Sequence, residues 1–252
     1  MAASAALSDE TVQGMVPGRK LRDSTACVHS LDFHRTEELL VTSAGDESIR
    51  VYSTERGELA RTLFSKKYGA GCVRFTHSPD AVVCGSRNGW DHTVRYLSLH
   101  DNRYLRYFKG HRGRVTAIST HPRDDRVVSA SEDRTVRLWD LRTNACQGLL
   151  RCSAAPCCAY DAQGLVFAAS TEEGVIALFD AAGYDKGPFL SIPLAAPGSS
   201  AGTITSLAFS LDGKHIAAVA GRNLYVVDAY EGAREHAFGV EPPVEGGEGG
   251  GE

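Results

Sequence analysis

Long apolar runs are missing from this 252-residue chain: nowhere do about 18 apolar residues stand together, so no helix of membrane-spanning length is expected. The N-terminal stretch MAASAALSDE has neither a basic first segment nor an apolar core of signal-peptide length, which argues against a secretory leader. An excess of one charge is missing too. The 27 Lys and Arg against 31 Asp and Glu give a formal net charge of -4, so no overall basic field draws the chain to nucleic acid or an anionic membrane. No Gly-rich phosphate loop, paired-carboxylate pattern or H-E-x-x-H string appears, and enzymatic activity has no support in the sequence.

Cysteine is present in an odd number, seven, without a C-x-x-C pair. Cys152, Cys157 and Cys158, with His111 or His121, invite a metal reading. Core packing is the better account, because Cys157 and Cys158 open an apolar strand and free thiols pack as small hydrophobes. No metal or other cofactor is expected, and unpaired thiols fit a reducing, intracellular compartment.

What the sequence has in quantity is glycine, 26 residues, much of it between short apolar runs, as turn-rich all-β chains require. One pattern recurs at roughly 40 to 48 residues, the period of propeller blades. Its clearest copy runs from Gly110 to Asp140: Gly110-His111, then VTAIST, VVSAS, Asp133 and TVRLWD. Earlier copies read VHSLDF…LLVTSAGDESIRVYS and CVRFTH…VVCGS…DHTVRYLS. Later ones read CCAYDAQGLVFAASTEEGVIALFD and ITSLAFSLDGKHIAAVAGRNLYVVD. At the position of Trp139 stand Tyr52, Leu97, Phe179 and Val227, all large and apolar. The expected fold is an all-β WD-repeat propeller with five recognisable repeats, because a four-stranded blade covers its faces only by stacking on neighbours.

In the third repeat His111, Ser129, Asp133 and Trp139 match the hydrogen-bonded tetrad typical of WD blades. A His, Ser, Asp set also suggests a catalytic triad, but the order follows the repeat, and structural roles are assigned to all four. Lys66, Lys67 and Tyr68, with the run Arg103, Tyr104, Arg106, Tyr107, Lys109, Arg112 and Arg114, make the most basic and aromatic stretch. Expected on outer strands and connecting loops, they are the candidate contact for an acidic or phosphorylated partner segment, or else a solvated face with Tyr104 and Tyr107 partly packed. Gly198-Ser199-Ser200-Ala201-Gly202 spells the G-x-S-x-G of a hydrolase elbow. It lies in a small-residue linker without the strand and helix that an elbow needs, so Ser200 is read as a loop residue.

The stretch from Thr62 to Leu150 is more specific than a blade pattern requires. TLFSKKYG, DHTVRYLSLHDNRYLRYF and RTVRLWDLRTNACQGLL closely resemble the WD repeat-containing protein 82 family, the WD-repeat subunit of COMPASS-type histone H3 lysine 4 methyltransferase complexes. GLVFAAS, YDKGPF and FSLDGKHI fit the same family, and the likeness extends over about 21–239. The resemblance implies a non-catalytic nuclear scaffold. It would bind Set-domain methyltransferase complex subunits and link them to chromatin and, indirectly, to transcribing RNA polymerase II. Family relatives also imply phosphatase 1 or polyadenylation-complex partners, and a ubiquitin-ligase substrate receptor is a further adaptor reading. No membrane contact is expected, and no direct nucleic-acid contact. Were RNA bound after all, Arg103 to Arg114 would carry it.

The family resembles seven-bladed rings, whereas five repeats are recognisable here. Three outcomes stay open: a chain shortened at its C-terminus, a ring completed by a partner, or a small five-bladed closure. The domain reading is a disordered tail over 1–18, blades over 19–239, and an acidic Gly-rich disordered tail over 240–252. A strand around Arg19 to Asp23 is expected to close the ring by pairing with the last blade.

Overall fold

The computed structural model describes residues 8–195, 199 and 201–239. Both ends of the sequence, including the tail expected over 240–252, lie outside the described residues, as do Gly198 and Ser200 of the G-x-S-x-G string. Among the described residues twenty strands form five four-stranded antiparallel sheets, each built from consecutive strands. Blade 1 holds β1 (Val28–Phe33), β2 (Leu39–Ala44), β3 (Ser48–Ser53) and β4 (Glu58–Phe64). Blade 2 holds β5 (Gly71–Phe75), β6 (Ala81–Gly85), β7 (Val94–Ser98) and β8 (Arg103–Phe108). Blade 3 holds β9 (Val115–Thr120), β10 (Arg126–Ser131), β11 (Thr135–Asp140) and β12 (Cys146–Arg151). Blade 4 holds β13 (Cys158–Tyr160), β14 (Val166–Glu172), β15 (Val175–Asp180) and β16 (Leu190–Pro193), and blade 5 holds β17 (Ile204–Phe209), β18 (His215–Ala220), β19 (Asn223–Asp228) and β20 (Arg234–Gly239).

The second and third strands are rich in Val, Ile, Leu, Ala and aromatic residues; in blades 1 to 4 they are mostly buried, and in blade 5 at alternate positions. Their tight turns have a local cause. In Asp46–Ser48 and Asp133–Thr135 the middle residue takes positive φ (Glu47 63°, Arg134 61°), while the Asp carboxylate accepts the N–H two residues on. Blade 4 reaches the same left-handed geometry with Gly174, φ 66°.

The turn after each first strand is also tied by its leading residue. His34 Nδ1, Thr76 Oγ1, His121 Nδ1, Asp161 and Ser210 Oγ each accept a backbone N–H from the turn or the strand after it. His121 goes further, donating from Nε2 to the carbonyl of Gly164 at 2.9 Å, which ties blade 3 to blade 4.

Four buried apolar clusters weld the blades in sequence. Val41, Ile49 and Leu63 pack on Val73, Phe75 and Leu97. Phe108 and Val94 meet Trp139 and Val127, Leu138 and Val136 meet Phe167 and Phe179, and Ile176 and Leu178 meet Ile216 and Val227. Tyr52, Leu97, Trp139, Phe179 and Val227 are all buried, so the repeated apolar position is a core position in every blade. Among the described residues no buried cluster joins blade 1 to blade 5, and Leu31 and Phe33 on β1 stay 53% and 60% exposed. The inner strands still converge: Leu31, Cys72, Thr116, Cys158 and Ser206, one from each blade, line a central cavity of about 310 Å³.

Two expectations are corrected at the N-terminus. Arg19 to Asp23 is no strand of the last blade. Blade 5 fills its fourth place with its own β20, paired along β19, which leaves no vacancy to take. The segment lies along blade 1 instead: Arg19 donates to the carbonyl of Arg56 (3.1 Å), Gly45 N–H donates to the carbonyl of Cys27 (3.0 Å), and burial with the Asp23 carboxylate raises the Tyr52 hydroxyl pKa. Within 1–18, a short helix α1 (Asp9–Gln13) forms where a tail was expected, started by Ser8, whose Oγ accepts from Thr11 N–H. Regular blade structure begins at Val28, nine residues later than the sequence boundary at 19.

Candidate protein-interaction site

In blade 3 the four marked residues form one chain of hydrogen bonds. Trp139 Nε1 donates to Ser129 Oγ (2.8 Å), the Ser129 hydroxyl to His111 Nε2 (2.7 Å), and His111 Nδ1 to Asp133 (3.1 Å). Asp133 also accepts from Arg112 N–H (2.8 Å) and from the Thr135 hydroxyl (2.6 Å). Burial alone would raise the Asp133 carboxyl; these donors outweigh it and hold the pKa at about 2. Burial keeps His111 below its usual value and therefore neutral, as a donor at one ring nitrogen and an acceptor at the other requires. Ser129 is fully buried with its hydroxyl oxygen already bonded, so it has no path to a substrate.

Blades 1 and 2 reach the same end without a histidine. Arg50 pairs with Asp46 (2.8 Å) and touches Ser48, while Arg95 pairs with Asp91 and touches Ser86. The missed signal was an Asp-x-Ser/Thr-x-Arg string shared by three repeats: Asp46-Ser48-Arg50, Asp91-Thr93-Arg95 and Asp133-Thr135-Arg137.

Arg95 is also the centre of the candidate surface. Its guanidinium carbon sits 3.6 Å from the centre of the Tyr68 ring and 5.7 Å from those of both Tyr104 and Tyr107. Tyr68 packs on Trp90 at 5.8 Å, and Trp90 is 65% exposed. Strict strand alternation would place Tyr104 and Tyr107, three apart, on opposite faces. A register shift in β8 pairs Tyr107 with Arg95 and Tyr104 with Leu97, which turns both rings to one face. The Tyr104 hydroxyl is fixed by Ser65 at 2.7 Å, and its burial raises its pKa.

The other candidates divide. Lys67 Nζ lies 5.2 Å from the Tyr68 ring and joins the cluster, whereas Lys66 lies over Phe64. Arg103 points outward beside Asp101, and Arg106 turns to blade 3, donating to the carbonyl of Leu141 at 2.7 Å. Of the further basic residues, Arg112 gives its backbone N–H to Asp133 and Arg114 its carbonyl to Glu132. Trp90 and Arg95 were not singled out in the sequence. Beside Tyr68 opens a polar hollow of about 300 Å³ lined by His29, Lys67, Arg87 and Asn88. Burial and then the neighbouring Arg114 lower the Arg87 pKa; His29 is lowered by burial and by both arginines. Among the described residues neither Lys66, Lys67, Arg87 nor Arg114 makes an ion pair with an acid.

Three of the cysteines, Cys84, Cys157 and Cys158, take core positions, whereas Cys72, Cys146 and Cys152 are half-buried and Cys27 is exposed; burial pushes the Cys84 thiol up to about 12 and the Cys157 thiol up to about 11. Cys157 and Cys158 donate to the carbonyls of Ile204 and Ala117, in neighbouring blades.

Five stacked meanders with a tetrad and its arginine variants define a WD-repeat β-propeller, a class that works by presenting surfaces. The family model described as WD domain, G-beta repeat, matches residues 15–53 and 102–140. Over 94% of its length the chain is 43% identical to "Protein ANTHESIS POMOTING FACTOR 1" of Arabidopsis thaliana, covering 72% of that protein. It is 39% identical to WD repeat-containing protein 82 of Drosophila melanogaster, with 95% of this chain and 75% of that protein covered. The Set1 complex component swd2 of Schizosaccharomyces pombe is 42% identical over 82% of this chain and 58% of its own length. The chain belongs to the WD repeat-containing protein 82/Swd2 family.

Proposed function

We propose that the chain is a non-catalytic scaffold subunit of a Set1/COMPASS-type histone H3 lysine 4 methyltransferase complex, working in the nucleus and linking that complex to chromatin and transcribing RNA polymerase II. The observation that carries this reading is its kinship, over most of its length, with proteins named as Set1 complex and COMPASS components. The site supports it: an exposed aromatic on a rigid cation–π cluster beside cations without acidic partners suits an acidic or phosphorylated segment of a partner. The tetrad belongs to the blade's own stability and to no reaction.

The test is affinity purification of the tagged chain from nuclear extract, followed by mass spectrometry. Set-domain methyltransferase subunits are expected among the retained proteins, and their recovery should fall when Lys67 and Trp90 are replaced by Glu and Ala. Recovery of a ubiquitin ligase or a polyadenylation complex without any methyltransferase subunit would overturn the assignment.

A further inference from the structure

The two ends of the ring differ in chemistry. The aromatic and basic surface of blade 2 stands at the end formed by the turns between second and third strands and by the links between blades. The opposite end, formed by the turns after first and third strands, carries an apolar hollow of about 280 Å³ between blades 4 and 5. Val166, Leu178, Phe209 and Ala229 form its floor, and Leu165, Phe189 and Tyr230 stand around it. These three rim side chains are 64%, 60% and 73% exposed, and Leu211, in the turn after β17, is 93% exposed. Scattered single apolar residues need no explanation. Three large ones around one hollow, with Leu211 on a neighbouring turn, form a patch of the kind that marks a binding surface.

Charge narrows the occupant. The charged residues that line the hollow, or stand next in sequence to a lining residue, are Asp161, Asp212, Asp228, Glu231 and Lys214, four acids against one base. Two of these acids, Asp228 and Asp212, are held ionised by their hydrogen bonds. Asp228 accepts the backbone N–H groups of Glu231 and Tyr230, and Asp212 accepts the Ser210 hydroxyl and the Lys214 N–H; each set of bonds holds its carboxyl below the usual range. An acidic neighbour of the floor repels acidic or phosphorylated segments, so this end does not duplicate the basic surface on the other.

We propose that the hollow between blades 4 and 5 is a second docking site, which takes a linear protein segment carrying large aliphatic or aromatic anchors flanked by Lys or Arg. An anchor enters between Leu165, Phe189 and Tyr230 and buries apolar area on both partners, while the basic flank lies along the acidic rim. The hollow is at the small end of binding cavities, which suits side chains and not a folded element. Together with blade 2, it lets one scaffold hold two partner segments of opposite charge at once. The site does not rest on membership of any particular complex.

The experiment displays a library of twelve-residue peptides, with Leu or Phe anchors and either Lys/Arg or Asp/Glu flanks, to the full chain and to L165S/F189S. Both replaced side chains are exposed, and an unchanged melting temperature checks that the fold is intact. Peptides with apolar anchors and basic flanks are expected to be enriched on the parent chain. They should bind the double variant about tenfold more weakly or worse, the loss expected when large apolar contacts are removed. E231K should weaken the same peptides severalfold, and added salt should do likewise. Equal enrichment on parent and variant overturns the proposal, as does preference for acidic flanks. Self-association of the parent that disappears in L165S/F189S also overturns it, because the occupant would then be a second copy of the chain.

Discussion

Replacing Asp133 by Ala removes the acceptor on which the blade-3 tetrad ends. Four donors lose it: Arg112 N–H, Thr135 N–H, the Thr135 hydroxyl and His111 Nδ1. Water reaches the turn N–H groups, but the His111 side chain is fully buried, and its Nδ1 donor keeps only the longer contact to Thr135 Oγ1 at 3.3 Å. One buried donor left unsatisfied costs about 1–3 kcal/mol. A second route gives a similar figure: the carboxyl falls from an ordinary 3.8 to about 2 on folding, worth about 2 kcal/mol at roughly 1.4 kcal/mol per pH unit. Because the folded pKa is the lower one, this stability is complete above about pH 4 and is lost as the pH falls towards 2. Thermal unfolding followed by circular dichroism at pH 7 should show D133A melting roughly 4–8 °C below the parent. Near pH 2.5 the gap should narrow as the parent loses the same term. A variant that melts with the parent at pH 7, or a gap that widens in acid, would refute the reasoning.

Replacing Arg95 by Ala leaves Asp91 without its cation and strips the support from Tyr68, Tyr104 and Tyr107. Breaking such a largely buried pair costs about 3 kcal/mol, which should appear as a lower urea midpoint. W90A, at an exposed position, should stay within about 0.5 kcal/mol of the parent in the same assay yet lose partner proteins in affinity purification. G164A should be strongly destabilised: Gly164 has φ 79°, and a Cβ there would clash with the His121 ring, so the tie between blades 3 and 4 must shift. Its melting temperature should fall well below that of a control such as G89A, where a Cβ meets nothing within 4 Å.

The repeat was fully legible because propeller blades are local: each sheet is four consecutive strands, so spacing alone fixes pairing and the positions of Tyr52, Leu97, Trp139, Phe179 and Val227. The tetrad residues could be grouped for the same reason, since their separations are set by one repeat. Sequence by itself also fixed the family, through stretches such as SLHDNRYLRYF that no blade pattern demands.

What lay beyond it depends on contacts between blades or on register. The shift in β8 brings Tyr104 and Tyr107 onto one face and sends Arg106 to the other, and nothing in a polar and aromatic alternation marks where such a bulge falls. Trp90 and Arg95 read as an unremarkable loop aromatic and strand cation until Tyr68, from the preceding link, arrives beside them. The N-terminal segment looked free to pair with the last blade, but β20 already occupies that edge. The apolar hollow joins turns more than sixty residues apart, Asp161 to Tyr230, and so exists only once blades 4 and 5 stack. Local hydrogen bonding and apolar period are written in the chain; which side chains meet across blades is decided by packing.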